Sequence, residues 1–270
     1  MLSPEFPRIA ELPLILHAQG WHWEKKSIGF GFDQRVFWIG TDDNGRSWIV
    51  KMRGNVKAVD ERVYASLSQH LGICTQSSSY LVLPGDAEPL MDSRLGYPTG
   101  HQLAIWQMDE HEPGPCNDSC PVTRLPDSRD PNKYFDAWLN CGVTNPRDWF
   151  DATMLGYFCR KGEPTGRFLT KTHWWVQIDN DWMFGLYGRK GGSSDSALEY
   201  VRCDPMMKIG LANKMLKELC FKFAETTDQD LERFLELPSG YRAKTEVNHC
   251  RKCLKRARTT ARYVSRFGLK

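Results

Sequence analysis

Long apolar runs are missing from this sequence of 270 residues. Nowhere do 18 apolar residues follow one another, which argues against a transmembrane helix of ordinary length. The opening residues also lack the basic region followed by an apolar stretch that marks a secretory signal. We therefore expect a cytoplasmic protein with no membrane partner. Its formal net charge is only +3, so the overall charge points to no class of partner.

A disulfide framework is missing as well. The nine cysteines are odd in number and are not grouped in short loops, so we expect reduced thiols. The pairs Cys116 and Cys120, and Cys250 and Cys253 beside His249, leave a zinc site as an alternative. Cys250 also fits the apolar stripe of its predicted helix, and buried free cysteine is common, so simple packing is the favoured interpretation.

Apolar and aromatic residues are plentiful. Hydrophobic residues make up 41% of the chain and include ten Trp, enough for one large domain or two lobes with a substantial core. Positive charge is concentrated at the end of the chain, where residues 242–270 hold ten Lys or Arg and one acid. That asymmetry is compatible with binding to nucleic acid or another acidic partner. Such a cluster of basic residues is more often the solvated face of a helix.

The first half of the chain predicts strands around one helix. Aromatic and β-branched runs at 35–39 and 48–52 flank Asp42-Asp43-Asn44-Gly45, and Asn-Gly favours a hairpin turn. Residues 56–71 then carry apolar residues at every fourth position and end at Gly72, which predicts a helix. Two more strands are predicted at 80–83 and 103–108. Residues 1–26 are predicted to form a short helix or an irregular cover.

The second half is predicted to be mainly helical. Residues 109–133 carry acids, several Pro and a cysteine pair, which indicates a hinge or linker. Pro146 suits the first position of a helix that Asn145 caps. Residues 174–178 and 182–184 are predicted to form a hairpin. Three final helices are predicted at 207–224, 228–237 and 246–267. The last helix has one apolar face, so its basic face is expected to point outward.

Several residues match the needs of a kinase site, which are a glycine turn, a lysine, an acid that holds the lysine and a metal-binding acid. Gly29 and Gly31 leave room for backbone amides to approach a phosphate. Lys51 lies in an apolar strand, where its charge requires a partner, and Glu61 in the next helix is the natural one. The alternative is an exposed Lys51 and a solvated Glu61, which lies opposite the apolar stripe of its helix.

The order of these features resembles the HipA-like branch of the kinase fold. The resemblance is carried by the Lys51 strand and Glu61 helix, by Leu71-Gly72-Ile73, and by Gln177-Ile178-Asp179-Asn180-Asp181-Trp182-Met183-Phe184. The resemblance implies an α+β, two-lobed protein-kinase-like fold, with an N-terminal antiparallel sheet plus one helix and a mainly helical C-terminal lobe. It places a nucleotide-binding lobe at residues 1–108, a hinge or linker at 109–133 and a mainly helical lobe at 134–270.

The resemblance also implies a site for ATP and Mg²⁺. Lys51 would hold the nucleotide phosphates and Glu61 would orient Lys51. Asp179 would coordinate magnesium, with Asp181 as the fallback ligand, and the backbone around Met108 would meet the adenine. The implied reaction is phosphate transfer to a Ser or Thr hydroxyl of a protein substrate.

The catalytic loop departs from the pattern of that family. A loop with a second Asp, followed by Gly-Asn-x-Leu, is expected. After Phe150-Asp151 this chain instead continues to Gly156-Tyr157-Phe158-Cys159-Arg160-Lys161 and later has Gly166-Arg167-Phe168-Leu169. The departure leaves two alternatives open. Either Asp151, or else Asp148, serves as the base from a rearranged loop, or the chain is a pseudokinase or regulatory binding module.

A third class of function is left by the basic C-terminal helix. An accessory protein associated with nucleic acid would use such a helix, but no known recognition module accompanies it in the sequence. The partners expected from the sequence are therefore a protein substrate or regulatory protein, with nucleic acid as a further candidate.

Overall fold

A computed structural model shows an α+β fold in which a six-stranded sheet precedes a mainly helical second half. This fold class is the one expected from the sequence. The structure describes residues 9–28, 35–51, 55–83, 101–106, 131–140, 143–159, 165–168, 174–178, 201–202, 205–241 and 243–269.

The sheet is built mainly from antiparallel neighbours. Its strands are β1 (Ile15–His17), β2 (His22–Ile28), β3 (Arg35–Thr41), β4 (Ser47–Lys51), β5 (Ser78–Val82) and β6 (His101–Trp106). Their order across the sheet is β1-β5-β6-β4-β3-β2. Only the pair β1 and β5 is parallel among these neighbours. Strands β4 and β6 are therefore central, and β1 and β2 form the two edges.

The hairpin between β3 and β4 confirms the turn predicted from Asp-Asp-Asn-Gly. The Asp42 carboxylate accepts hydrogen bonds from the backbone amides of Asn44 and Arg46, at 2.9 and 3.0 Å. Gly45 has a φ of 74°, a conformation that costs glycine little. The indole of Trp48 donates to the same carboxylate at 3.1 Å, so the turn is also tied to the following strand.

The start of the chain differs from its prediction as a short helix or irregular cover. From residue 9 onward, where the description of this segment begins, Ile9–Glu11 forms one helical turn of the 3-10 type. The following residues enter the sheet as β1 and β2. Strand β2 pairs with β3 along all seven of its residues. Its sequence, His-Trp-Glu-Lys-Lys-Ser-Ile, has the polar character of an edge strand, and its structure comes from the pairing.

A glycine on β3 makes room for a cluster of tryptophans. Trp21 lies 5.7 Å from Trp23 and 6.3 Å from Trp48 between ring centroids. A Cβ atom added to Gly40 would come 2.5 Å from the ring of Trp21 and 2.8 Å from that of Trp23. The indoles therefore pack directly against the backbone of β3 and cover one face of the sheet.

Helix α1 (Asn55–Leu71) follows β4 and agrees with the predicted helix. Its apolar stripe of Val59, Val63 and Leu67 is fully buried. The helix ends at Gly72, which has a φ of 88°, and the amide of Ile73 donates to the carbonyl of Ser68 at 2.9 Å. This left-handed glycine is the helix stop that the sequence indicated.

The described part of the second half includes five longer α-helices: α2 (Pro131–Leu139), α3 (Pro146–Cys159), α4 (Gly210–Glu225), α5 (Asp228–Phe234) and α6 (Lys244–Phe267). Helix α3 begins at Pro146 as predicted, and the apolar face of α6 is buried as predicted. Helix α2 begins inside the predicted linker at 109–133, and the division into lobes stays a prediction. None of the helices in the described ranges is long and apolar enough to cross a membrane.

A short hairpin completes the described part, and it differs in part from its prediction. Strand β8 (Trp175–Ile178) falls in the predicted run, but it pairs with β7 (Thr165–Phe168). The partner expected at 182–184 lies outside the described residues. Strand β7, Thr-Gly-Arg-Phe, is too short and polar to show a strand period, so its pairing with β8 is what makes it a strand.

We predict that Gly40→Ala destabilises the fold by about 1 to 3 kcal/mol, since an added methyl group displaces packed indole rings. The free energy of unfolding in urea measures the effect. Gly210→Ala is the matched control, because nothing lies within 4 Å of its added Cβ. Equal stability of the two variants would show that the tryptophan cluster is not packed on Gly40.

Candidate functional site

One side of α1 faces the second half of the chain. The Tyr64 hydroxyl donates to the carbonyl of Ala152 in α3 at 3.4 Å. The Ser68 hydroxyl donates to the side-chain oxygen of Gln177 in β8 at 3.2 Å. Positions 61, 64 and 68 are helical neighbours, so Glu61 lies on this side, two turns before Ser68. Glu61 is only 4% exposed, which contradicts the alternative of a solvated glutamate.

Strand β8 is hydrogen-bonded to the segment that follows α1. The amide of Gln177 donates to the carbonyl of Cys74 at 2.9 Å, and the amide of Gln76 donates to the carbonyl of Gln177 at 3.1 Å. The Thr75 hydroxyl donates to that same carbonyl at 3.1 Å. The strand that directly precedes Asp179 is therefore fixed against the end of the helix that carries Glu61.

The start of α3 binds both of these segments. Asn145 donates to the carbonyl of Trp175 at 2.8 Å and accepts from its amide at 2.7 Å. The Asp148 carboxylate accepts from the amide of Cys74 at 2.8 Å and from Asn145 at 2.9 Å. Burial raises the pKa of Asp148, while the two hydrogen bonds favour its charged form. Asp148 is thus held in a structural contact.

The other candidate base, Asp151, lies in the packing between α3 and α4. Arg147 pairs with Asp151 at 3.2 Å and with Glu218 of α4 at 2.6 Å. Asp151 is 4% exposed, and its second oxygen has no hydrogen-bond partner within the described ranges. Burial raises the pKa of Asp151 to about 6, although Arg147 opposes the shift. Its proton affinity suits a base, but its surroundings are those of a helix contact.

A buried acid on α1 faces a different neighbour. Asp60 precedes Glu61 and accepts a hydrogen bond from the thiol of Cys250 in α6 at 3.2 Å. Burial raises the pKa of Asp60 to about 7, the Cys250 hydrogen bond lowers it and nearby Glu246 raises it. Asp60 therefore contacts α6, while its neighbour Glu61 lies on the side of α1 where Tyr64 and Ser68 bind α3 and β8.

The other predicted site residues are only partly placed. The backbone of Lys51 ends β4 and pairs with Leu103 in β6, but its side chain is outside the description. The remaining five candidates lie outside the described residues: Gly29, Gly31, Met108, Asp179 and Asp181. The predicted ion pair of Lys51 and Glu61 therefore stays a prediction, as do the magnesium ligands.

The cysteines near the end of the chain have contacts of their own. Cys250 binds Asp60, and the thiol of Cys253 lies 3.5 Å from the imidazole of His249. No group of three His, Cys, Asp or Glu side chains in the described ranges is arranged to hold a metal. Cys116 and Cys120 are outside those ranges, so the zinc alternative stays untested.

Sequence reasoning did not identify Ser68, Gln177 and the side-chain role of Asn145. Gln177 gave one signal, because it interrupts the apolar run Trp174 to Ile178 and a buried amide needs partners. Asn145 was expected to cap α3, yet its side chain binds the backbone of Trp175 and the Asp148 carboxylate in place of a backbone amide of the first turn.

Neither a protein-family model nor a curated protein matches the chain by sequence. The fold, however, is similar to the crystal structure of a Helicobacter pylori proinflammatory kinase, CtkA. The TM-score is 0.54 at 14% identity, over 93% of this chain and 99% of that chain. At this identity the likeness shows the fold alone, so the chain has a kinase-like α+β fold.

We predict that Asp60→Asn stabilises the protein more at pH 8 than at pH 5. Burial raises the pKa of Asp60 from 3.8 to about 7, so the folded state keeps its proton where the unfolded chain loses it. Stability of the parent then falls as the pH rises through that window. Between pH 5 and pH 8 the difference is at most roughly 3 kcal/mol, because only the two pH units from 5 to the folded-state pKa contribute.

Urea unfolding of the parent and of Asp60→Asn at both pH values measures this difference. The control is Asp136→Asn in α2, where the carboxylate is exposed. A stability difference between Asp60→Asn and the parent that does not change with pH would contradict the expected titration.

Proposed function

We propose that this chain binds ATP with Mg²⁺ and transfers phosphate to a Ser or Thr hydroxyl of a protein. In this proposal Lys51 contacts the phosphates, Glu61 orients Lys51, and Asp179 coordinates the metal with Asp181 as the fallback. Gly29 and Gly31 approach the phosphates, and the backbone at Met108 contacts the adenine. The kinase-like fold supports the proposal, and so does the order of motifs that resembles HipA-like kinases.

The observation that carries the proposal is the joining of α1 to β8. Glu61 and Ser68 share one side of α1, and Ser68 binds Gln177, two residues before Asp179. Two turns of helix span about 11 Å, so the acid expected to hold the lysine and the acid expected to hold the metal belong to segments that are fixed together. Such convergence of distant residues is what a phosphate and metal site requires.

The burial of Glu61 supports its assigned role. A carboxylate that is 4% exposed needs a positive charge or hydrogen-bond donors to offset its lost hydration. Lys51 ends the strand that leads into α1. A Lys51–Glu61 pair would meet the need of both charges and would place an ammonium group beside the nucleotide phosphates.

A pseudokinase is the second candidate, and the contacts of the two proposed bases favour it. Asp148 binds the amide of Cys74, and Asp151 binds Arg147 in the packing between α3 and α4. A base must contact the acceptor hydroxyl, and both carboxylates already bind groups of the protein. Nucleotide binding would survive this loss, because positioning and charge neutralisation use other residues.

We predict that Asp179→Ala weakens ATP binding in the presence of Mg²⁺ by about tenfold or more, since a charged ligand contact is lost. Without the metal, Asp179→Ala and the parent should bind ATP alike. Lys51→Ala should weaken binding with or without Mg²⁺. Calorimetric titration with ATP measures all three proteins, with Asp136→Ala as the surface control. Equal affinities across the set would overturn the nucleotide-site proposal.

Phosphate transfer distinguishes the two candidates. If the chain is an active kinase, single-turnover transfer from labelled ATP to an added protein should fall about a hundredfold or more in Asp151→Asn, the size of a general-base contribution. Asp148→Asn should lower stability more than it lowers the rate, because Asp148 binds a backbone amide. Clear ATP binding with no transfer by any of the proteins, including autophosphorylation, would support the pseudokinase.

A further inference from the structure

The outer side of α6 carries a continuous stripe of cations and aromatic rings. Its members are all exposed: Lys252, Lys255, Arg256, Arg262, Tyr263, Arg266 and Phe267. At 3.6 residues per turn they fall within one side of the helix, opposite the buried Leu254, Ala257 and Ala261, and extend over about 22 Å. We call this surface the basic face of α6.

The positive charge of the basic face is not neutralised within the described residues. Two acids that interact electrostatically with the face already bind other arginines: Glu232 pairs with Arg251, and Asp228 pairs with Arg258. Lys255 lies near both acids, and Arg262 lies near Asp228. No ion pair within the described ranges involves any of the five cations of the face, so their charges are available to an anionic partner.

The aromatic rings of the face are exposed to an unusual degree. Tyr263 and Phe267 are 41% and 59% exposed, with their ring centroids 5.2 Å apart. Their neighbours Arg262 and Arg266 alternate with them along the helix. Exposed aromatic rings have an energetic cost in a monomer, and their clustering indicates a binding surface.

Helix α4 extends this surface on one side. Arg262 of α6 donates to the carbonyl of Ala224 in α4 at 3.3 Å, and Lys217 packs 3.5 Å from the point where a Cβ of Gly268 would lie. Phe221, between these two contacts along α4, is 61% exposed. A third ring and a further cation therefore flank the end of the basic face.

We propose that the basic face of α6, with Phe221, binds single-stranded nucleic acid. Cations contact the phosphates, while exposed rings stack on bases that have no partner strand. The alternation of rings with charges suits a chain in which phosphates and bases also alternate. A membrane-binding helix would instead need a broad apolar face, and the apolar face of α6 is already buried in the core.

The test is fluorescence anisotropy with labelled 20-mers of poly-dT and poly-rU, without ATP, at 50 to 200 mM salt. Binding is expected to weaken with salt in proportion to the number of phosphate contacts, with a slope of about 0.7 per contact for single strands. Arg262→Gln combined with Arg266→Gln should lower that slope by about 1.4. Tyr263→Ala combined with Phe267→Ala should weaken binding at least about fivefold with an unchanged slope.

A matched control removes two exposed cations elsewhere, Lys133→Gln with Lys208→Gln, and should leave binding unchanged. Thermal unfolding of every variant confirms that these surface changes leave the fold intact. The proposal would be overturned if the control pair lost binding to the same degree, or if the aromatic variant bound as the parent does. Either result would show that binding comes from general charge attraction. Tighter binding to vesicles of phosphatidylcholine and phosphatidylserine than to the oligonucleotides, or no oligonucleotide binding at 50 mM salt, would also overturn it.

Discussion

The attachment of β8 to the segment after α1 is the constraint on which the rest of the arrangement depends. Gln177 gives both of its backbone groups to this contact, and its side chain binds Ser68. Because Gln177 is fully buried, no water would replace a lost bond, and each unmade bond costs about 1 to 3 kcal/mol. This attachment of β8 to the segment after α1, called the join below, therefore fixes α1 and the sheet relative to the second half.

This constraint has a chemical consequence for the acids of α3. Asn145 and Asp148 hold the join, and Asp151 is paired across to α4 through Arg147. A carboxylate that binds a backbone amide in the folded state can take up a proton only by weakening that bond. The two acids nearest the expected catalytic loop in sequence are thus engaged in contacts between segments of the fold. The acids proposed to orient Lys51 and to hold the metal, Glu61 and Asp179, belong to α1 and to the segment that follows β8.

Local patterns in the sequence predicted the elements that local chemistry determines. The Asp42 hairpin, α1 with its stop at Gly72, the start of α3 at Pro146 and the inward face of α6 follow from turn, cap and period signals. Strands β2 and β7 were not predicted, because each is polar in its own sequence and is a strand only through pairing with the more apolar strand that follows it. The burial of Glu61 could not be read from its helix alone, since the side of α1 opposite the valines is covered by α3 and β8, far away in the chain.

Helix α1 is tied to three elements of the second half, which limits how this fold can be regulated. Asp60 binds Cys250 of α6, Tyr64 binds Ala152 of α3, and Ser68 binds Gln177 of β8. A shift of α1 as a rigid body would break these buried bonds, and bistable motion needs two arrangements of similar energy. A control mechanism that swings this helix is thus disfavoured.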